Sequence, residues 1–158
     1  MDRAPALLAN HIKRTVAGPM WHGAALSDLL ENVTPAQAAA RPIPGAHSIW
    51  EVVAHVTSWA EIARARVHGE RIGEPPPEED WPPVGAATEA EWAILLRRLS
   101  ESHRLLAHDV RHLDDATIEA TVPGLEYRMY DLLHGVIEHG TYHGGQIALL
   151  KKALPAGS

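Results

Sequence analysis

The segment MYDLLHGVIEHGTYHGGQIALLKKA, residues 129–153, decides the fold. Leu133, Val136, Ile137, Ile147, Ala148 and Leu149 recur at helical spacing, so a helix is expected from near Met129 or Tyr130 to about Ala153. Gly135, Gly140, Gly144 and Gly145 lie inside it, and each costs about 1 kcal/mol relative to alanine in a helix interior. Gly140 and Gly144 sit four apart near the middle of the apolar face, where small residues admit a neighbouring backbone. Two readings stay open for them: simple packing, or a close approach that brings side chains of two helices to one point. His139 and His143 are also four apart, about 40° around the axis, so both rings can point at one metal ion.

Three more helical stretches lie upstream. Leu7, Leu8, Ile12, Val16, Leu26, Leu29, Leu30 and Val33 place the first between about Pro5 and Val33, with a kink or break at Gly18-Pro19. Thr34-Pro35-Ala36-Gln37 reads as a capped short turn of helix, and Arg41-Pro42-Ile43-Pro44-Gly45 as a connector. Ser48 and Glu51 form a capping box for the second helix. Its core stripe runs through Ile49, Val52, Val53, Val56, Trp59, Ala60, Ala63 and Val67 to near His68-Gly69. The proline-rich stretch from Gly73 to Pro83 is expected as a long exposed loop. A second capping box, Thr88 and Glu91, opens the third helix, which ends about Leu113. Between Thr117 and Arg128 the pattern loosens around the Pro123-Gly124 turn signal, consistent with a small hairpin. Long helices with few strand signals predict an all-α, four-helix-bundle domain spanning residues 1–158.

Composition narrows the function. The 158 residues carry 14 basic and 20 acidic side chains, a formal charge of −6 that argues against phosphate-backbone binding. Without cysteine there is no disulfide, thiolate metal site or cysteine nucleophile. No apolar run approaches the ~18 residues of a membrane span, and the start MDRAPALLANHIKR lacks a cleavable signal pattern, so a cytoplasmic location is expected.

Eleven histidines are several-fold more than usual, and histidine is the commonest metal ligand. At that abundance chance alone supplies about 0.7 pairs at i, i+4 spacing, and His108/His112 is a second such pair, set among charged neighbours that suggest an exposed surface. His139 and His143 differ in flanking the apolar face of their helix, at a bundle seam. His55 holds a comparable place on the second helix, about 80° from the centre of its stripe. Three such seams invite a shared partner, since a buried histidine without one is costly. Spacing alone also allows three separate seam histidines, each bonded to a carbonyl or water. Around them, Glu51, one turn before His55, is within reach of a metal-bound water, but its capping role with Ser48 explains it fully. Gln146 is open between a metal-bound water and seam backbone. Tyr142 could donate to a substrate or lie between helices, and its phase, pointing away from the core centre, favours packing or a subunit contact. Trp50 and Trp59 read as core or pocket wall, His47 as a loop residue, and His134 lies on the wrong side.

The segments HSIWEVVAHVTSW, residues 47–59, and VIEHGTYHGGQI, residues 136–147, resemble the two signature blocks of the DinB/YfiT-like superfamily. The Arg-Pro-x-Pro-Gly approach to the second helix and the long loop before the third also fit. The resemblance implies a four-helix bundle in which His55, His139 and His143 bind a divalent metal such as Zn²⁺ or Ni²⁺. It further implies a metal-dependent enzyme, a homodimer, acting on a small molecule. Members include transferases and isomerases that use a low-molecular-weight thiol, bacillithiol or mycothiol, and others described as metal-dependent hydrolases. The alternative expectation is a non-catalytic, stress-related helical binding module with a structural metal.

Overall fold

The computed structural model of the protein describes residues 4–155. Four long helices carry the fold: α1 (Ala4–Val16), α4 (Ile49–Val67), α6 (Glu89–Arg111) and α8 (Met129–Ala153). Short helices fill the connections: α2 (Leu26–Leu30), α3 (Pro35–Ala39), α5 (Pro77–Asp80) and α7 (Asp115–Glu119). Both α1 and α4 pack against both α6 and α8, giving the all-α architecture that the periodicity predicts.

Local chemistry sets the helix boundaries. Ser48 Oγ accepts from Glu51 N at 3.2 Å while Glu51 Oε2 accepts from Ser48 N at 2.7 Å, so the expected capping box is complete. Thr34 and Gln37 form another, at 3.2 and 3.0 Å. At α6 only half a box is made, with Thr88 Oγ1 accepting from Glu91 N at 3.3 Å. The apolar stripes bury as two clusters. One joins α4, the start of α6 and the end of α8 through Ile49, Trp50, Trp92 and Ile147. The other joins α1, the end of α6 and the start of α8 through Ile12, Leu106, Val110 and Leu133. Full burial of each such side chain contributes about 1.5–3 kcal/mol.

The structure decides one sequence expectation and changes two. Of the kink or break expected at Gly18-Pro19 it shows the break: α1 stops at Val16, and the helical stretch read on to Val33 resumes as the separate α2. The expected hairpin shrinks to the single bridge Thr121↔Arg128, because Asp114 caps Thr117 N at 2.7 Å and turns the first arm into α7. The stretch from Gly73 to Pro83 is not simply an exposed loop. It contains α5, which packs on α4 and brings Trp81 against the histidines.

Gly140 is required by packing. A Cβ there would collide with Thr15 Cγ2 of α1, and one on Gly144 would touch Leu29 and Leu26 at 3.5–3.6 Å. The packing reading therefore accounts for Gly140, against α1, whereas at Gly144 a Cβ would make only ordinary contacts with α2. The opposite face of α8 is thereby left to turn toward α4, where a cleft opens.

Candidate metal centre

His55 lies in the middle of α4, and His139 and His143 lie one turn apart on the facing side of α8. The packing of α4 on α8 brings the three imidazoles together, with ring centroids 4.4–4.7 Å apart. One ring nitrogen from each lies within 4.8 Å of the other two. His55 Nε2 and His139 Nε2 are 2.8 Å apart. Two nitrogen lone pairs at that separation repel unless a proton or a cation lies between them.

Two of the rings are fixed from behind. His55 Nδ1 lies 2.6 Å from Asp80 O, a pure acceptor, so Nδ1–H donates and the Nε2 lone pair faces the site. His143 Nδ1 donates to Gln146 Oε1 at 2.6 Å, which again leaves Nε2 for the site. Gln146 Nε2 in turn donates to Tyr142 Oη at 3.1 Å. Burial, reinforced by the neighbouring imidazoles, pushes His139 down to about 3. Burial also lowers His55 and His143. All three are therefore neutral at pH 7, the form that ligates metal. Ligand nitrogens of a tetrahedral ion at 2.0–2.1 Å stand about 3.3 Å from one another, inside the spread seen here. The cluster could hold a divalent metal ion, and three imidazoles leave one tetrahedral position open.

The site faces a cleft of about 890 Å³ between α4, α8 and the connectors that precede α4, α6 and α8. Trp81 is stacked between His47 at 3.7 Å and His55 at 3.9 Å, nearly parallel to both rings. Trp59 forms a second wall, 6.0 Å from His139, and its Nε1 donates to Asp80 Oδ1 at 2.7 Å. Exposed Tyr142 and Leu149 stand at the rim, and Gly135 adds no side chain to the wall.

The remaining residues singled out from sequence fall as follows. Glu51 caps α4 and pairs with Arg41, with its Oε2 3.7 Å from His47 Nδ1, and stands outside the three-histidine cluster. Gln146 orients His143, its Oε1 accepting from the ring and its Nε2 donating to Tyr142 Oη. Trp50 is core, packed on Trp92, whereas Trp59 lines the cleft. His47 is a loop residue, as expected, but stacks in the cleft wall. His134 stacks on Tyr130, outside the cluster. The exposed His108/His112 pair sits beside Asp109, which His68, His108 and Arg64 hold down at about 2 against its burial.

Sequence reasoning missed Asp80, Trp81, Tyr127, Arg66 and His103. Asp80 and Trp81 carry no signal beyond proline-rich neighbours. Arg66 does: it lies seven residues after Trp59, so a charged side chain occupies a stripe position of α4. His103 is fully buried on α6 and pushed down to about 4 by burial.

The family model described as DinB superfamily matches residues 21–147, well over half of the chain and inclusive of all three histidines. Neither the curated proteins nor the solved structures yield a match. Among the described residues, no helix is long and apolar enough to cross a membrane.

Proposed function

We propose, from the premise that this chain belongs to the DinB superfamily, that it is a metal-dependent enzyme in which His55, His139 and His143 hold one divalent ion at the cleft. One observation carries this reading: three neutral imidazoles converge on the wall of an open, aromatic-lined cleft instead of being sealed in the core. A purely structural ion needs no such opening. An ion held there supplies Lewis acidity toward a thiol, a water or a carbonyl. Zn²⁺ and Ni²⁺ both suit the imidazole donor set.

The chain's own residues then bind and orient. Asp80 O and Gln146 fix the tautomers of His55 and His143. Trp59 and Trp81 exclude water from one side of the cleft and offer flat apolar walls. Within this reading, S-transfer from a low-molecular-weight thiol such as bacillithiol or mycothiol is favoured over hydrolysis. Of the carboxylates on the cleft wall, Arg128 holds both oxygens of Asp131. Asp80 Oδ1 accepts from Trp59 Nε1 and lies 3.4 Å from His55 Nδ1, on the side of that ring turned away from the cluster, which disfavours either carboxylate as a general base for water at the ion. In the transfer, sulfur bonds to an electrophilic carbon, the leaving group departs with its electron pair, and the thiol proton passes to solvent. The reading includes a cytoplasmic homodimer with neither nucleic acid nor membrane as partner.

The test is thioether formation, followed by mass spectrometry, from bacillithiol or mycothiol and an alkyl halide with Zn²⁺- or Ni²⁺-loaded protein. Metal-dependent turnover that His143→Ala abolishes is expected. Equal rates with native and His143→Ala protein would contradict the assignment.

A further inference from the structure

Arg66, near the end of α4, is the largest fully buried side chain in the described structure. Its Nη1 donates to Tyr127 Oη at 2.8 Å, and its Nη2 to Gly73 O at 2.8 Å and Glu74 Oε2 at 3.1 Å. Its Nε has no partner among the described residues. The one carboxylate paired with it, Glu74, is 63% exposed while the Arg66 side chain is 0% exposed, so water screens the anion far more than the cation. The guanidinium also lies over the Trp59 ring, 5.7 Å from its centroid.

Tyr127 carries this buried charge to the cleft, which it lines. Its oxygen accepts from Arg66, so its own O–H points elsewhere, and no acceptor for that proton is present among the described residues. Accepting from a guanidinium polarises the phenol, while burial and the Glu74 carboxylate raise its pKa above the ordinary tyrosine value despite Arg66, so it stays a neutral O–H donor. We propose that Tyr127, backed by Arg66, is a second binding point in the cleft, taking a carboxylate remote from the reacting end of the substrate. The proposal rests on the cleft being a substrate site with its reacting end at the three histidines. Trp59 bridges the two ends, 6.0 Å from His139 and 5.7 Å from the guanidinium carbon, and supplies a flat apolar surface for the body of the ligand. Asp131 lines the same part of the cleft, but Arg128 holds both its oxygens at 3.0 Å, which offsets its repulsion of an incoming anion. The substrate class is thus a small organic acid with an apolar body between its carboxylate and its reacting atom.

Calorimetric titration of the full, Zn²⁺-loaded chain with 4-phenylbutyrate, beside 4-phenylbutan-1-ol, tests this. The acid is expected to bind the native chain more tightly than the alcohol, and Tyr127→Phe to weaken the acid at least tenfold while leaving the alcohol unchanged. Arg66→Lys, which keeps the charge but loses the planar fork, is the second variant and is expected to weaken the acid as well. Equal affinity of the acid for native and Tyr127→Phe protein overturns the proposal, as does absence of saturable acid binding to the native chain. Metal content measured on the same samples separates the two readings. If the histidines hold no metal, the metal-centre reading fails, yet the acid-against-alcohol comparison still decides the role of Tyr127.

Discussion

His143 keeps Nε2 free because Gln146 accepts its other ring proton, and His55 does the same through Asp80 O. Such backing groups typically set 10–100-fold in metal affinity. Gln146→Ala is therefore expected to weaken Zn²⁺ binding about 10–100-fold, read by competition with a chromophoric chelator, with unchanged helicity. A value equal to that of the native protein would show that His143 is oriented by something else. His103 makes a different prediction. Its folded pKa, about 4, lies below the ordinary histidine value of 6.5 because burial disfavours the imidazolium. Its contribution to stability is fully present above pH 6.5 and is lost as the pH falls toward 4, by up to about 3 kcal/mol. In thermal unfolding of metal-free protein, His103→Leu should show a smaller fall in Tm between pH 7 and pH 4.5 than the native chain. At this scale spacing left the trio open against three separate seam histidines, as the exposed His108/His112 pair shows, and the resemblance of residues 47–59 and 136–147 to two signature blocks is what joined His55 to His139 and His143. Asp80 was not, because its contact with His55 spans 25 residues of chain and is made by a carbonyl, which every residue possesses.

At the scale of elements, α8 holds its glycines for different reasons. Gly140 faces Thr15, whose Oγ1 donates to His11 O at 3.0 Å and so fixes the methyl group toward α8. Gly140→Ala should cost about 1–3 kcal/mol by overpacking, and adding Thr15→Ser should recover most of it. Gly145 is exposed, with open space where a Cβ would stand, so Gly145→Ala should instead add about 0.5–1 kcal/mol through helix propensity. Denaturant midpoints of the native chain and these variants check both signs. Of the long helices, α4 and α6 were readable because apolar period and a capping residue agree at their starts, α8 was readable from its period alone, and the first stretch was read past the end of α1 at Val16. The short helices α5 and α7 were not. Four or five residues hold too little period to register, and α5 gains its place by packing on α4.

For the molecule as a whole, two apolar clusters hold α1, α4, α6 and α8 together and leave the α4–α8 seam to the histidines and the cleft. An ion bound across that seam joins two elements far apart in sequence, so it stabilises the folded chain by mass action, about 4 kcal/mol at a thousandfold excess over Kd. Zn²⁺ should accordingly raise the Tm of the native chain and leave that of His139→Ala unchanged. The architecture was legible from periodicity. The cleft was not, because its walls come from connectors whose paths depend on tertiary packing. The central claim, that the three histidines form one metal centre, is tested most directly by elemental analysis of untagged protein beside His143→Ala. The account predicts about one divalent ion per native chain, the load of a single three-imidazole site, and its loss in the variant. Equal metal content in the two proteins, or none in the native chain after incubation with Zn²⁺ and Ni²⁺, would contradict it.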